Sequence, residues 1–466
     1  MSDIKGPPPL NESQRSLGYV VPNTRSLQSE HDGASCDVAV VGAGPAGSAA
    51  ALVLARDGWS VCLLERGSYP GSKNMYGGVI YPRVLDGLLP NWREDMPVQR
   101  WVTRRATMVM TETQSLTLDY RTSAWGSPPY NGATSFRPEL DRWLAGKAVE
   151  AGAVLVEATT ATGLLRDPSS GAICGVRTDR PDGDLRARIV IACDGVNSFL
   201  AKEAGLYKNL DPSNYTLGIK EVLSLPSKTI EDRFGLSPGQ GADFEILGCT
   251  GGIPGGGFLY TNLDSLAVGV VVRLPELAAS ARRPEELVTE LKAHPGIAPL
   301  VRDGELIEYS AHLIPEGGLD MMPELVCDGL LVAGDAAARC LAAEIWLEGV
   351  NFAIGSGAAA GEAASQALAS GSSNARALAG YRDRLESNFV LADHRKLRRA
   401  PHLVLSKRMQ LSYPQLMCNL MEGVFTVENP SPKPGLTKLV LREAKRSGVS
   451  LTELLSDAWT AFRTFG

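Results

Sequence analysis

One stretch near the N-terminus constrains the possible folds of this chain more than any other. An apolar run at residues 38–41 is followed by Gly42, Gly44 and Gly47, then by an alanine-rich segment, and then by a second apolar run that ends at Glu65. Short apolar runs bounded by glycine predict buried strands, and the alanine-rich segment between them predicts a helix. The pattern is therefore strand, tight turn, helix and strand, which opens an α/β domain with a parallel sheet.

The residue types in the turn suit a dinucleotide. Gly42 permits the tight turn, Gly44 lets the backbone approach a pyrophosphate, and Gly47 lets the helix lie close to the sheet. The helix begins at Pro45 and Ala46, and the free backbone N–H groups that follow Pro45 in its first turn face a phosphate. These five residues are therefore predicted to contact the cofactor.

An acidic residue closes the unit about twenty residues after the glycines. Glu65 ends the second strand, where its carboxylate can accept both hydroxyls of an adenosine ribose, and Arg66 follows it. A lone GxGxxG would be weak evidence, but here strand, glycines, helix, second strand and terminal acid occur together. The sequence therefore predicts a Rossmann-type dinucleotide-binding domain and an enzyme of redox chemistry.

Composition and charge exclude several other functions. The net charge of −6 and the pI of about 5.6 leave no basic surface for nucleic acid. The eight cysteines include no CxxC pair, so neither zinc nor an iron–sulfur cluster is expected, and reduced thiols are typical of cytoplasmic proteins. Residues 38–55 carry no charge, but their glycines and proline argue against a transmembrane helix. The polar residues 1–35 are expected to form a flexible arm and not a secretory signal.

The chain is predicted to contain two domains and a helical C-terminal region. The first is a discontinuous nucleotide-binding domain, since later strand-like runs repeat the first unit's pattern and end in Asp194-Gly195 and Gly334-Asp335. The second is a mixed-sheet, largely antiparallel domain, since many glycines separate short strand-like runs there. The fold class is therefore α/β, or α+β over the whole chain. The boundaries are residues 36–105, 135–205 and 319–390 for the first domain, 106–134 and 206–318 for the second, and 391–466 for the helical region.

The order of these motifs resembles a large class of FAD enzymes. In proteins similar to p-hydroxybenzoate hydroxylase and glutathione reductase, a GxGxxG unit, a mid-chain Asp-Gly and a late Gly-Asp follow one another. The resemblance implies FAD as the cofactor, with Arg137 near its pyrophosphate, Asp194-Gly195 at its ribose side and Asp335 on a ribityl hydroxyl. It also implies that a helix starting at residues 349–351 directs its positive end at the flavin.

Further motifs resemble a narrower group, the FixC proteins, which are bacterial relatives of electron-transfer flavoprotein:quinone oxidoreductase. This resemblance implies that an electron-transfer flavoprotein reduces the flavin and that a quinone or a ferredoxin-like partner takes the electrons. In the quinone oxidoreductases a Gly-Gly pair contacts the quinone, and Gly255 and Gly256 occupy the matching place. Like FixC proteins, this chain lacks the cluster-binding cysteines of the mitochondrial-type enzyme. The motifs are residues 70–78, 256–260, 308–318 and 325–335.

Chemistry is expected on the flavin, so no catalytic side chain is assigned with certainty. Lys73 and Asn74 lie in a loop that returns over the first unit, and they can hydrogen-bond near the reactive flavin nitrogen or simply close a surface turn. Tyr260 can line the substrate face or the core. His312 is a weaker candidate for acid–base chemistry than for packing, and Glu316 is expected to be structural. The predicted cofactor residues are Gly42, Gly44, Pro45, Ala46, Gly47, Glu65, Arg66, Lys73, Asn74, Gly77, Gly78, Arg137, Asp194, Gly195, Gly334, Asp335, Gly349, Val350 and Asn351.

Two further questions stay open at the level of sequence. The same frame suits an FAD-dependent dehydrogenase or monooxygenase that tailors a small organic molecule in a specialised biosynthetic pathway. The apolar run at residues 439–465 can pack on the body or lie at a membrane surface. The basic cluster at residues 395–399 can meet lipid headgroups or an acidic partner, although a solvated helix face is favoured. The chain is expected to be cytoplasmic, with peripheral contact at the inner face of the membrane left open.

Overall fold

Two β-sheets of different construction form the frame of the molecule. The computed structural model describes residues 34–73, 77–207, 211–343 and 345–465. The predictions for residues 1–33 and for Asn74 therefore lie outside the described residues.

The strands alternate with helices in the first part of the chain and follow one another directly in the middle part. In the described residues they are β1 (Ala34–Val41), β2 (Val61–Leu64), β3 (Gly77–Ile80), β4 (Arg100–Met110), β5 (Ser115–Arg121), β6 (Ala133–Phe136), β7 (Val154–Val156), β8 (Ala161–Arg166), β9 (Ile173–Thr178), β10 (Leu185–Ala192), β11 (Tyr215–Ser224), β12 (Gln240–Leu247), β13 (Gly255–Thr261), β14 (Ser265–Arg273), β15 (Glu305–Pro315), β16 (Val326–Cys327), β17 (Leu330–Val332), β18 (Leu341–Ala342) and β19 (Leu347–Glu348).

The α-helices become the dominant element after β19. In the described residues they are α1 (Pro45–Arg56), α2 (Trp92–Asp95), α3 (Arg137–Glu150), α4 (Phe199–Glu203), α5 (Ser227–Phe234), α6 (Leu274–Ser280), α7 (Pro284–Ala293), α8 (Ala298–Val301), α9 (Val350–Ala369), α10 (Ala375–Leu378), α11 (Gly380–Ser387), α12 (Phe389–Lys396), α13 (Ala400–Val404), α14 (Tyr413–Phe425), α15 (Leu436–Arg446) and α16 (Leu451–Phe465).

The first sheet is mostly parallel. Its strands β17, β10, β1, β2 and β7 lie in this order and are all parallel, and β16 and the β8–β9 hairpin join them in antiparallel orientation. The central strands are buried apolar runs, as expected for strands covered on both faces. Because parallel strands end at one edge, the turns after β1, β10 and β17 meet there. This edge is where open α/β sheets bind their ligands.

The second sheet is mixed and largely antiparallel, which confirms the prediction from the glycine-rich middle of the chain. Its order is β15, β11, β14, β13, β12, β4, β6 and β3, with β5 beside β4. The β4–β12 pair is parallel, whereas the neighbouring pairs are antiparallel. The sheet has an apolar core of its own, to which α5 and α7 contribute. The helical C-terminal segment that follows is also as predicted.

Some strands belong to a different sheet from the one that the predicted domain boundaries imply. Ala34 and Ser35 belong to β1 and not to an arm, because they pair with β10. Strand β3 and the beginning of β4 belong to the second sheet, although residues up to 105 were assigned to the first domain, because β3 pairs with β6 and β4 pairs with β12. The chain thus crosses between the sheets soon after β2.

Helices α1 and α9 pack closely because small residues face each other. A Cβ atom at Gly357 would lie 2.0 Å from the carbonyl oxygen of Ala46, and one at Gly361 would lie 2.8 Å from that of Ala50. Contacts this short exclude any side chain at these two positions. The small residues of α9 therefore bring both helix N-termini to the same edge of the first sheet.

The C-terminal helices pack on the second sheet and on each other. Cys418 in α14 lies against β4, its Sγ atom 3.7 Å from the carbonyl oxygen of Val109. Helix α16 is attached by Asp457, whose carboxylate accepts hydrogen bonds from Arg408 at 2.6 and 2.8 Å and from Tyr413 at 2.6 Å. No helix in the described ranges is long and apolar enough to cross a bilayer.

The basic cluster at residues 395–399, which spans the end of α12 and the turn before α13, is partly paired within the chain. Arg395 forms an ion pair with Glu386, and Arg398 forms one with Asp320 at 2.6 Å. Both arginines are about half exposed. These pairs agree with the favoured interpretation of a solvated helix face.

We expect Gly357→Ala to destabilise the protein. The added methyl group would collide with the Ala46 carbonyl, and overpacking of this kind costs about 1–3 kcal/mol. The matched control is Gly146→Ala in α3, where a Cβ atom meets nothing within 4 Å. That change should stabilise by up to about 1 kcal/mol through helix propensity. Thermal unfolding of both variants checks the prediction, and a melting temperature of Gly357→Ala at or above that of the unaltered protein would contradict it.

Candidate functional site

A cavity opens where the turns after β1, β10 and β17 meet the second sheet. Its volume is about 380 Å³, and both sheets and the N-termini of α1 and α9 line it. It is therefore the place where the sequence motifs of the first domain come together with residues of the second.

The glycine turn after β1 forms one end of the cavity. Gly42 has a positive φ of 101°, and a Cβ atom there would lie 2.3 Å from the carbonyl oxygen of Cys193 on the neighbouring strand. A Cβ atom at Gly47 would lie 1.9 Å from the carbonyl oxygen of Gly42. Both glycines are thus required by packing within the protein, and Gly47 does not itself line the cavity.

Gly44 differs from its two neighbours in this turn. Its φ of −76° and ψ of −173° suit any residue, and a Cβ atom there would meet only the Arg137 guanidinium, at 3.7 Å. Neither the backbone nor the packing requires glycine at this position. The missing side chain leaves room at the N-terminus of α1, where free amides favour a phosphate group.

Arg137 places a positive charge beside this turn. Its guanidinium lines the cavity and forms a bidentate pair with Asp141, with distances of 2.7 and 2.8 Å. The pair holds the guanidinium in one orientation, facing Gly44. This placement suits the predicted contact with a pyrophosphate.

Glu65 lies at the end of β2 on the rim of the glycine turn. Its carboxylate accepts hydrogen bonds from the backbone N–H groups of Ala43 at 3.2 Å and Gly67 at 2.6 Å. Each oxygen keeps a free lone pair, so the carboxylate can still accept hydroxyl groups from a ribose. Arg66 also lines the cavity.

Asp194 follows β10 and has a buried oxygen atom without a partner. Its Oδ2 accepts the N–H of Leu200 at 3.1 Å, whereas its Oδ1 has no hydrogen-bond partner in the protein. Burial raises the pKa of this carboxyl. A buried acceptor of this kind is costly unless a ligand supplies a donor. Gly195, with a φ of 75°, continues the cavity wall.

Asp335 follows β17 and lines the cavity, as do Arg137 and His312. Burial raises the pKa of its carboxyl, while electrostatic interactions with His312 and Arg137 oppose this rise. His312 lines the cavity, and its Nδ1 lies 2.5 Å from the carbonyl oxygen of Leu313. Gly334 next to Asp335 has a φ of 64°, which suits the tight turn.

The N-terminus of α9 also lines the cavity. Gly349 and Val350 line it, whereas Asn351 lies behind them, and its side-chain nitrogen donates to Glu348 at 2.7 Å. The positive end of a 20-residue helix therefore points into the cavity.

The second sheet supplies the other wall. Gly255 and Gly256 at the start of β13 line the cavity together with Phe258 and Tyr260, whose rings stack 4.9 Å apart. Lys73 stands at the exposed rim, and Gly78 lines the cavity, but Gly77 does not. The predicted cofactor residues that line the cavity are Gly42, Gly44, Pro45, Ala46, Glu65, Arg66, Lys73, Gly78, Arg137, Asp194, Gly195, Gly334, Asp335, Gly349 and Val350. Their direct contacts with a cofactor stay a prediction.

Sequence reasoning missed several residues of the cavity. Glu316 was expected to be structural, but it is buried and lines the cavity, where it accepts a hydrogen bond from Thr216 at 2.8 Å. Burial raises the pKa of Glu316 to about 7. Glu245 and Trp346 line the wall formed by the second sheet. The alternation of acidic and apolar residues at positions 243–246 is the signal that would have identified Glu245.

The residues of the cavity fit FAD. The empty space at Gly44, the unpartnered Oδ1 of Asp194 and the two helix N-termini suit a pyrophosphate flanked by hydroxyl-bearing groups. By the same reasoning Glu65 would hold the adenosine ribose and Asp335 the ribityl chain. In the described part of the chain, no group of three His, Cys, Asp or Glu residues could hold a metal ion.

Comparison with protein-family models gives two matches. A model of an FAD binding domain matches residues 35–234, and a model of the C-terminal domain of the ETF-QO/FixC family matches residues 400–466. ETF-QO stands for electron transfer flavoprotein-quinone oxidoreductase.

Similar proteins extend this match over almost the whole chain. Protein FixC of Escherichia coli O157:H7 is 40% identical over 414 residues, which are 88% of this chain and 95% of that protein. The probable electron transfer flavoprotein-quinone oxidoreductase YdiS of Escherichia coli K12 is 38% identical over 422 residues, 90% of this chain and 97% of that protein. A geranylgeranyl bacteriochlorophyll reductase-like protein from Thermoplasma acidophilum has a similar structure, with a TM-score of 0.66 at 19% identity over 91% of this chain and 99% of that one. These findings confirm the FAD-binding fold, and FAD is the cofactor.

We expect Gly44→Ala to separate cofactor binding from folding. The methyl group fits the protein but fills space at the helix N-terminus, so FAD affinity should fall by about tenfold or more, which corresponds to about 1.4 kcal/mol. The melting temperature of the cofactor-free protein should not change. Gly87→Ala is the control, because a Cβ atom there meets nothing within 4 Å and lies away from the cavity. Fluorescence titration of both variants with FAD checks this, and unchanged affinity in Gly44→Ala would contradict it.

Proposed function

Since this chain belongs to the ETF-QO/FixC family of FAD-dependent oxidoreductases, we propose that it takes electrons from an electron-transfer flavoprotein and passes them to a quinone or a ferredoxin-like partner. The observation that carries the proposal is the single cavity that runs from the glycine turn of the first sheet to the Gly255-Gly256 pair of the second. A cofactor and an electron acceptor can therefore share one cavity.

Bound FAD supplies the redox chemistry, because a flavin accepts electrons singly or in pairs. The protein's part is to bind and orient it. Arg137 and the N-terminus of α1 offset the charge of a pyrophosphate, and the N-terminus of α9 adds positive potential to the cavity.

The wall formed by the second sheet supports a flat, weakly polar acceptor. Phe258 and Tyr260 present stacked rings, and the glycines at residues 255 and 256 expose backbone beside them. A quinone needs an apolar surface for its ring, which these two rings provide. The alternative, oxidation or hydroxylation of a small organic molecule, would use the same wall.

Anaerobic mixing of the FAD-loaded protein with reduced electron-transfer flavoprotein should bleach the flavin absorbance, and a soluble quinone should then restore it. Both steps are expected because a cofactor in this cavity would lie beside the wall formed by the second sheet, where we propose that the acceptor binds. The Gly44→Ala protein, prepared without FAD, is the control and should not reoxidise the donor. Rapid bleaching by NADPH alone would contradict the proposed role as an electron carrier. Bleaching by a small organic molecule would favour the alternative function.

We also propose that helix α16 contacts an anionic membrane surface, where a lipid-soluble quinone is available. Leu451, Leu455, Trp459 and Phe462 form a stripe on one face of α16, and each is 50–72% exposed. Trp459 and Phe462 are stacked with their centroids 5.8 Å apart. Large aromatic and aliphatic side chains in such a stripe are typical of helices that lie in the membrane interface.

Cationic residues in the same C-terminal region favour an anionic lipid surface over a neutral one. Lys433, Lys438 and Lys445 are all exposed. Near an anionic surface, each such charge contributes about 1 kcal/mol of attraction.

Replacing Leu455 and Trp459 together by glutamate should lower binding to vesicles that contain anionic phospholipid by about tenfold or more, because apolar burial is lost and repulsion is added. Ser456→Glu is the control, since this exposed residue lies outside the stripe and the change adds the same kind of charge. Co-sedimentation with the vesicles measures both. Equal binding of the double variant and the unaltered protein, or no binding of the unaltered protein, would contradict the proposal.

A further inference from the structure

A buried group of charged residues lies on the second-sheet wall of the cavity. Asp243 and Glu245 are two residues apart on β12, so their side chains point to the same face of the sheet. Arg105 on β4 pairs in register with Asp243, and Tyr260 on β13 pairs with Asp243 from the other side. Four polar side chains from three adjacent strands therefore meet at this place.

The carboxyl groups of Asp243 and Glu245 lie at different distances from the Arg105 guanidinium. The Arg105 Nε atom lies 2.9 Å from the Asp243 carboxylate, whereas its Nη2 atom lies 3.8 Å from that of Glu245. The Trp346 ring stacks on the guanidinium, 4.2 Å from ring centroid to the central carbon, and limits its movement. Asp243 is thus the ion-pair partner of Arg105, and Glu245 is the more weakly paired acid.

The two carboxyl groups also differ in their exposure to the cavity. The Asp243 side chain is fully buried, whereas that of Glu245 is 12% exposed and lines the cavity. A molecule bound against Phe258 and Tyr260 would therefore meet the carboxyl of Glu245 and not that of Asp243.

The charges around Glu245 favour a proton on it. Burial and the Asp243 carboxylate raise the pKa of Glu245 well above its ordinary value, and the Arg105 cation only partly opposes this. The other titratable groups nearby are Tyr81 and Glu348; burial raises the pKa of Tyr81 well above its ordinary value. Glu348 is an additional acid that accepts hydrogen bonds from the Trp346 and Asn351 side chains. One guanidinium cannot balance two buried carboxylates, so one of the pair keeps its proton.

We propose that Glu245 carries a proton at neutral pH and donates it to a carbonyl oxygen of the electron acceptor as that oxygen gains negative charge. The acceptor is a quinone or another conjugated carbonyl compound that lies against the Phe258 and Tyr260 rings. This inference deepens the proposed function and rests on it for the identity of the acceptor.

The step balances with the reductant already named. Reduction of a quinone to a quinol takes two electrons, which come from the reduced flavin, and two protons. Glu245 supplies one proton by breaking its O–H bond as the new O–H bond of the acceptor forms, and the reduced flavin, which must release a proton as it is reoxidised, supplies the other. The Glu245 carboxylate then takes one proton from solvent, which restores the acid form.

Infrared spectroscopy tests the protonation state without any electron transfer. The unaltered protein at pH 7 should show the carbonyl stretch of buried, protonated carboxylic acids, and Glu245→Gln should lose the part of that absorption that Glu245 contributes. Glu112→Gln, in an exposed loop after β4, is the matched control and should keep it. The same spectrum in Glu245→Gln and the unaltered protein would overturn the proposal, whatever the acceptor is.

The pH dependence of acceptor reduction tests the donation itself. In the unaltered protein the rate constant should be constant at low pH and fall as pH rises through the raised pKa of Glu245, because the acid form is the donor. Glu245→Gln should lower that rate constant by about 100-fold and remove the pH dependence. Bleaching of its flavin by the electron donor should be unchanged. Asp243→Asn should move the pH at which the rate falls to a lower value, because it removes the neighbouring negative charge.

The outcomes separate this inference from the proposed function. If the unaltered protein reduces quinone and Glu245→Gln does so equally fast with the same pH profile, the proton-donor role is wrong and the proposed function stands. If no quinone or carbonyl compound reoxidises the flavin while Glu245 contributes to the infrared absorption, the proposed transfer to a quinone is wrong and only the protonation of Glu245 stands.

Discussion

The structure depends on direct contact between backbones at the glycine turn. Gly42 lies against the carbonyl of Cys193, Gly47 lies against the carbonyl of Gly42, and Gly357 lies against the carbonyl of Ala46. These three contacts join β1, β10, α1 and α9 more closely than any side chain would permit. They bring two helix N-termini and three strand ends to one edge, so packing places the positive ends of both helices at the cavity.

The two walls of the cavity differ in their electrostatics because the two sheets are built differently. The first sheet contributes backbone amides and isolated carboxylates at strand ends, which suit a phosphate and sugar hydroxyls. The second sheet contributes side chains from its face, where Arg105, Asp243 and Glu245 lie beside aromatic rings. The first wall would therefore form the hydrogen bonds to the cofactor, and the second wall would form those to the acceptor.

The glycine turn and the ends of the parallel strands could be predicted from the sequence, because each is encoded locally. Gly44, Glu65 and Asp335 stand at fixed offsets from apolar runs, and the position of a parallel strand then places them at the cavity. The family resemblance was confirmed.

The second wall could not be predicted in the same way, since it depends on which strands pair. Arg105 meets Asp243 only because β4 pairs with β12 in one register, and no local pattern specifies that pairing. The crossing of β3 and β4 into the second sheet was missed for the same reason. Trp346 lies in the segment between β18 and β19, whose path over Arg105 depends on the assembled molecule.

The parallel pairing of β4 with β12 has a consequence for the synthesis of the chain. The strands β5 and β6 emerge soon after β4 and can pair with it at once, but β12 follows much later. During that interval one edge of β4 carries unpaired N–H and C=O groups beside apolar residues such as Ala106 and Met108. Such an edge is open to wrong partners, and long-range parallel pairs form slowly. We therefore expect the second domain to be the part of this protein that most needs protection by chaperones during translation.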